Sequence, residues 1–249
     1  MQAIILAAGR GSRLGSMTKD KPKPLTELAG KPLLEWQISS LKTASVKHIT
    51  LIGGYQSHHL LGYGDNMIEN PNWQTSNMVR SLLCGDEVLC QAPTIISYGD
   101  IAYQSKIVSA LMNCHHEFAI SYDVAWHALW AERFDDPLSD AETFIQQQGL
   151  VTEIGNKTDQ LNDIQGQYMG LMLITPPAWQ RIKRYLLSLS ENKLNLLDMT
   201  TLISKLITIG VQVGAVAIDG GWVEVDTPTD AALYEAKVKL PSWHHNWQD

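Results

Sequence analysis

The sequence predicts an α/β protein with a doubly wound, mostly parallel, Rossmann-like sheet and an irregular region inserted in its second half. Three observations predict it. Short continuous apolar runs recur at 3–8, 48–54 and 93–100 and end in glycine or acid, as strands buried on both faces of a parallel sheet do. Helix-period segments fill the intervals between them. The chain has 249 residues, 45% hydrophobic and 18% charged, which suits one such globular domain.

Taken in order, 3–8 is the first strand and a glycine-rich basic loop follows it. Pro32 can open a helix whose Leu34, Ile38 and Leu41 share one face. "HITLIGG" is a second strand, and "SNMVRSLLCGDEVL" one helix with Ser76 or Asn77 as N-cap. "PTIISYGD" is a strand that runs into Asp100, a helix surrounds Ile107, Val108 and Leu111, and "EFAISYD" is the next strand. Residues 124–165 read as polar and irregular, with "LVTEIG" a short strand. "QYMGLMLIT" is a strand, and "PPAWQRIKRYLLSLS" a helix with Trp179, Ile182, Leu186 and Leu189 on one side. A helix at 199–209, the strands "VQVGAVAI" and "WVEVD", and a helix from about Thr229 complete the pattern. The last segment, "LPSWHHNWQD", reads as a surface or interface segment. No repeat or linker interrupts the chain, so 1–249 reads as a single domain.

A net charge of −7 argues against a general nucleic-acid or membrane-surface binder, which needs an extended basic face. No apolar run approaches the roughly 20 residues of a membrane span. Three cysteines without framework spacing (Cys84, Cys90, Cys114) fit a reduced, cytoplasmic protein.

Against that acidic background, "LAAGRGSRLGSMTKDKPKPL" carries Arg10, Arg13, Lys19, Lys21 and Lys23 directly after the first strand. A strand followed by a glycine turn presents backbone N–H groups to phosphate. A Walker A loop is absent, because Gly9 and Gly11 are not followed by Gly-Lys-Ser/Thr. A dinucleotide fingerprint fits poorly, because Gly15 falls one residue late. Arg13 can hold phosphate oxygens bidentately, and Lys23, set between Pro22 and Pro24, is a point charge on a stiffened segment. Arg10, Lys19 and Lys21 read as solvated loop charges. Asp100 and Asp226 both fall at strand ends, where an open α/β sheet binds its ligands, and two carboxylates suit Mg²⁺. The plainer alternative for each is a helix cap or turn residue. The adjacent histidine pairs make poor metal sites.

"LAAGxGxRL" followed by "KPKPL" resembles the nucleotidyltransferase family, which joins a nucleoside triphosphate to a phosphorylated small molecule. Ser16 and Met17 depart from the Pro-Leu of its sugar-activating members. "SNMVRSL", "SYGDI" and "GQYMGL" resemble its cytidylyltransferase branch, which charges phosphocholine, aminoethylphosphonate or a phosphorylated amino acid or amide. The resemblance implies the nucleotide-diphospho-sugar transferase fold, with a nucleotide-binding half (1–123) and an acceptor-binding half (124–249). It implies CTP as substrate and Mg²⁺ as cofactor, pyrophosphate release, and a role in surface polysaccharide or lipid decoration. Leu6, Ala7, Ala8, Gly9, Gly11, Ser12, Arg13, Lys23, Asn77 and Gly99 would bind nucleotide. Arg13 would hold the β- and γ-phosphates, Lys23 the α-phosphate, and Asp100 with Asp226 the metal.

Asn77 suits a pyrimidine edge and equally a helix cap, and the two roles can coexist. For the acceptor the expected residues are Asp123, Trp126, Trp130, Glu142, Lys157, Tyr168 and Gly170. Trp126 and Trp130, at i and i+4, form either a cage for an ammonium group or a core stripe. A uridylyl- or thymidylyltransferase acting on a sugar 1-phosphate and a non-catalytic nucleotide-binding regulator remain as alternatives. Partners are then small molecules, with a homodimer left open.

Overall fold

A computed structural model describes all 249 residues. In chain order the first elements are β1 (Gln2–Ala7), β2 (Glu27–Leu28), β3 (Lys31–Pro32), α1 (Leu33–Thr43), β4 (His48–Gly53), β5 (Asn66–Glu69), α2 (Met78–Cys84) and α3 (Asp86–Gln91). Next come β6 (Thr94–Tyr98), β7 (Ile101–Tyr103), α4 (Ser105–Met112), β8 (Phe118–Asp123), α5 (Trp126–Arg133), β9 (Phe144–Gln147) and β10 (Leu150–Ile154). The chain continues with β11 (Gln167–Ile174), α6 (Pro176–Leu187), α7 (Glu191–Leu196), α8 (Met199–Thr208), β12 (Gly214–Ile218), β13 (Trp222–Glu224) and α9 (Pro228–Lys237).

Nine strands form one sheet in the order β5-β4-β1-β6-β11-β8-β12-β10-β9. The pairs β5–β4, β4–β1, β1–β6 and β8–β12 are parallel. Near the middle, β11 runs antiparallel to both β6 and β8. Apolar clusters fill both faces of the sheet. One includes Ile5, Leu34, Leu41 and Val108, and the other Ile4, Trp179, Ile182 and Leu186. The expected one-sided faces of α1 and α6 are therefore core faces. No helix is long and apolar enough to cross a membrane.

Four readings need correction. The predicted helix over 76–89 divides at Gly85 into α2 and α3. The supposedly irregular middle contains α5 and β9, whose residues lack a clean apolar period, and β9 pairs antiparallel with β10, the strand expected at "LVTEIG". β7 was missed, as three residues carry too little pattern; it pairs antiparallel with β13 outside the main sheet.

The terminal segment is also no surface tail. Trp247 is 1% exposed and His245 2%. Trp247 packs edge-on to Trp36 at 6.2 Å between centroids, and Gln104 Nε2 donates to the carbonyls of Asn246 (2.9 Å) and Gln248 (3.0 Å). Its aromatic area fills a gap beside α1 and α9 that polar residues would leave open.

Candidate active site

The carboxyl edge of the sheet brings the sequence-distant candidates together. β1 delivers Ala8 and Gly9 there, and parallel pairing sets Leu6 beside Tyr98, so Gly99 and Asp100 leave the sheet alongside the glycine loop. Gly11 has φ +69°, and a Cβ on it would lie 2.8 Å from Lys23 Cγ. Glycine is needed here because the loop turns left-handed against the lysine stem. Pro22 and Pro24 flank Lys23 at the start of a 3₁₀ turn (Lys23–Leu25), which aims its ammonium inward.

That ammonium is 2.6 Å from Asp100 Oδ2 and 2.5 Å from Asp226 Oδ1. The β7–β13 pairing makes this meeting possible: Ile101 faces Glu224, and the Val225 N–H donates to the Asp100 carbonyl at 2.9 Å. Burial would lower the Lys23 ammonium, but the charges of Asp100, Asp226 and Glu224 outweigh it and hold the group above its usual range. Burial likewise would raise Asp226, and Lys23 reverses it and keeps the carboxyl low. Arg13 Nη2 is 3.0 Å from Asp226 Oδ2, but with two thirds of its side chain exposed this pair is screened by water.

Oxygens of Asp100, Glu224 and Asp226 lie within 4.8 Å of one another. Glu224 was missed, although period-2 alternation places it on the same strand face as Asp226. Burial first, then the Asp226 charge, pushes its carboxyl up to about 7. Arg133, 1% exposed at its side chain, backs the cluster: it bonds Glu224 at 3.2 Å and Asp230 at 3.1 Å while stacking on Trp130 and Phe134. Nothing in "WAERF" marked it. Asp230 in turn accepts the N–H groups of Asp226 (3.0 Å) and Thr227 (2.8 Å), fixing the turn into α9.

Beside the cluster opens a pocket of about 160 Å³. Lys23, Asp100 and Gly99 stand on its wall with Leu6, Ala7, Ala8 and Gly9, and the rest of the wall includes Trp73, Ser76, Asn77, Met78 and Ser81. Asn77 caps α2 as well, its Oδ1 accepting the Met78 N–H at 2.8 Å. Gly11 and Ser12 are not on its wall, and Gly11 packs against the stem of Lys23. Arg13 lines a neighbouring cleft with Asp226 and Thr227.

The acceptor candidates separate. Tyr168 packs edge-on against the pocket residue Tyr98 at 5.7 Å, with its hydroxyl buried and unpaired. Gly170 has φ +84°, and a Cβ there would meet the Tyr98 ring at 2.7 Å. Glu142 exchanges backbone bonds with the Gln167 side chain, next to Tyr168, and lies near Lys157 and Thr200; burial raises its carboxyl.

Asp123, Trp126 and Trp130 are corrected. Asp123 is fully buried and accepts from Ala125 N–H (2.9 Å), Gly220 N–H (3.0 Å), Trp222 Nε1 (2.9 Å) and His245 Nε2 (3.0 Å), which leaves it nothing for a ligand. The two tryptophans are 3% and 4% exposed, and the face of Trp130 is taken by Arg133 of its own chain. The i, i+4 stripe is core.

A glycine loop and a lysine-bridged acid cluster meeting at the sheet edge, beside a pocket, is the layout of an enzyme that handles a nucleoside triphosphate. Residues 3–167 match the family model of the MobA-like NTP transferase domain, and the chain belongs to that family of nucleotidyltransferases. It is 34% identical to a CTP:phosphoglutamine cytidylyltransferase of Campylobacter jejuni, over 92% of this chain and 97% of the relative. It is 39% identical to a choline-phosphate cytidylyltransferase of Streptococcus pneumoniae, over 38% of this chain and 43% of that one. Among solved structures, the inositol-1-phosphate CTP transferase from T. maritima superposes with a TM-score of 0.71 at 21% identity, covering 96% of each chain, which shows the shared fold.

Proposed function

We propose that this protein is a metal-dependent cytidylyltransferase that joins CMP from CTP to a small phosphorylated or phosphonate acceptor. The observation that carries this reading is Lys23, on the pocket wall, held between Asp100 and Asp226. The likeness to a phosphoglutamine cytidylyltransferase along nearly the whole chain supports the choice of CTP and favours a phosphorylated amide as acceptor.

An acceptor oxygen attacks the α-phosphorus in line; a new P–O bond forms, the bond to the β-phosphate oxygen breaks, and pyrophosphate leaves with the electron pair. The acceptor is already an anion, so no protein base is required, and catalysis is positioning plus electrostatic stabilisation. The glycine loop with Gly9, Gly11 and Ser12 cradles the triphosphate, Arg13 holds its β- and γ-phosphates, and Lys23 meets the charge that grows on the α-phosphate. Asp100 and Asp226, with Glu224 beside them, would hold Mg²⁺. These hard carboxylate oxygens, including the buried and unpaired Oδ1 of Asp100, fit such an ion. When bound it would neutralise phosphate charge. Glu142, Lys157, Tyr168 and Gly170 form the acceptor side. The free thiols Cys84, Cys90 and Cys114 suit a reducing, cytoplasmic setting. The product is an activated headgroup suited to transfer onto a polysaccharide or lipid.

The test is pyrophosphate release with each of the four ribonucleoside triphosphates against a panel of phospho-acceptors, in Mg²⁺. CTP should support turnover, and Asp100→Asn should lower kcat by roughly a hundredfold or more. Full activity of Asp100→Asn would remove the metal assignment, and preference for UTP would remove the cytidylyl one.

A further inference from the structure

Residues 9–19 leave the sheet as a largely exposed loop, and one residue outside the loop grips it at both ends. That residue is Tyr55, two positions past the end of β4, and the reaction makes no use of it. Gly54 brings it in. A Cβ on Gly54 would lie 2.8 Å from the Ala8 carbonyl oxygen and 2.6 Å from Trp73 Cβ, so glycine is needed for the chain to pass between the first strand and the pocket wall. The Tyr55 N–H donates to the Ala8 carbonyl at 3.0 Å, where the loop begins. Its hydroxyl donates to the Lys19 carbonyl, where the loop ends. The Arg10 guanidinium stands over its ring at 5.5 Å, and the ring meets Trp73 edge-on at 5.3 Å between centroids. Within the loop, the fully buried Thr18 donates its hydroxyl to the Gly11 carbonyl at 2.9 Å, so a tether on Lys19 is passed back to Gly11 and its neighbours.

We propose that Tyr55 is a positioning residue that staples the glycine loop closed, so that Gly11, Ser12 and Arg13 are set for the β- and γ-phosphates before the nucleotide arrives. A loop ordered in advance spares the ligand the entropy of ordering it. The gain falls on the part of the nucleotide that the loop touches. A triphosphate receives it in full, and a monophosphate receives little. This inference rests on the reading that the loop cradles the triphosphate.

The test is calorimetric titration of the full chain with CTP and with CMP, in Mg²⁺ and without acceptor. Wild type should bind CTP the more tightly. Tyr55→Phe keeps the ring against Arg10 and Trp73 and removes only the bond to Lys19. It should weaken CTP about fivefold and leave CMP within about twofold. Tyr55→Ala should weaken CTP further and CMP as well, because Trp73 lines the pocket and loses its support. In an Arg13→Ala background, Tyr55→Phe should change CTP binding by less than about twofold, since its effect passes through the loop. A merely structural loss would weaken both nucleotides alike and would persist in that background. An unchanged CTP-to-CMP ratio in Tyr55→Phe, with wild type still preferring CTP, would overturn the inference alone. Equal binding of CTP and CMP by wild type would remove the phosphate role of the loop and this inference with it.

Discussion

Asp123 shows what a buried carboxylate does when its surroundings are built for it. Burial would raise its pKa, but the bonds from His245, the Gly220 N–H and Trp222 outweigh burial and hold it below the usual carboxylate range. A depressed pKa in the folded state means that this stabilisation is fully present above the unfolded value of about 3.9 and is lost as pH falls through the folded one. Asp123→Asn puts an NH₂ where two donors already point, so it should be less stable than wild type at neutral pH. Urea midpoints should show a constant gap from about pH 5 to 8 that narrows below about pH 4. A gap unchanged at pH 3 would contradict this account. At this scale Lys23, Asp100 and Asp226 were legible, because a proline-bracketed lysine and strand-end acids are local patterns that the sheet edge brings together. Asp123 and Trp130 were not. Acids beside aromatics serve a buried network as well as an ammonium cage, and only burial separates the two. Glu224 was not legible either, because a glutamate inside the expected strand "WVEVD" rather than at its end reads as a solvent-facing residue, and Arg133 carried no local sign at all.

Strand β11 departs from regular pairing between Tyr168 and Met172, and Gly170 sits at that irregularity against Tyr98. Gly170→Ala combines a left-handed φ with a Cβ driven into the Tyr98 ring. We expect a loss of about 2 kcal/mol, read from urea midpoints, and a raised KM for CTP because Tyr98 lines the pocket. Unchanged stability would mean that the strand relaxes freely there. At the level of elements, long helices and both-face-buried strands were legible from their apolar periods. Several short elements (β7, α7 and β9) were not, since a few residues cannot display a period. The direction of β11 was equally hidden, because a continuous apolar run reads the same for a parallel or an antiparallel neighbour.

Across the whole molecule, residues 243–249 tie distant parts together. Asp249 Oδ1 accepts from Ser105 N–H at 2.8 Å at the start of α4, His245 reaches Asp123, and Trp247 meets Trp36 and Tyr234. Trp247→Ala removes a large, fully buried side chain. It should cost about 3–5 kcal/mol, seen as a markedly lower melting temperature; a shift of only a degree or two would show the segment to be dispensable. The overall class of fold was legible because strand–helix alternation constrains topology strongly. The docking of the last segment was not, since a polar stretch with isolated tryptophans looks alike on a surface and in a groove.

The pairing of β7 with β13 also sets an order of events on the ribosome. Domains emerge amino-terminal end first, so the glycine loop, Lys23 and Asp100 exist well before Glu224 and Asp226 leave the exit tunnel. Over the same interval β6 keeps one open edge until β11 arrives to cover it. A nascent chain therefore passes through a stage with its glycine loop formed, its acid cluster incomplete and a central strand unprotected. Chaperone engagement and premature termination would bear most heavily on that stage.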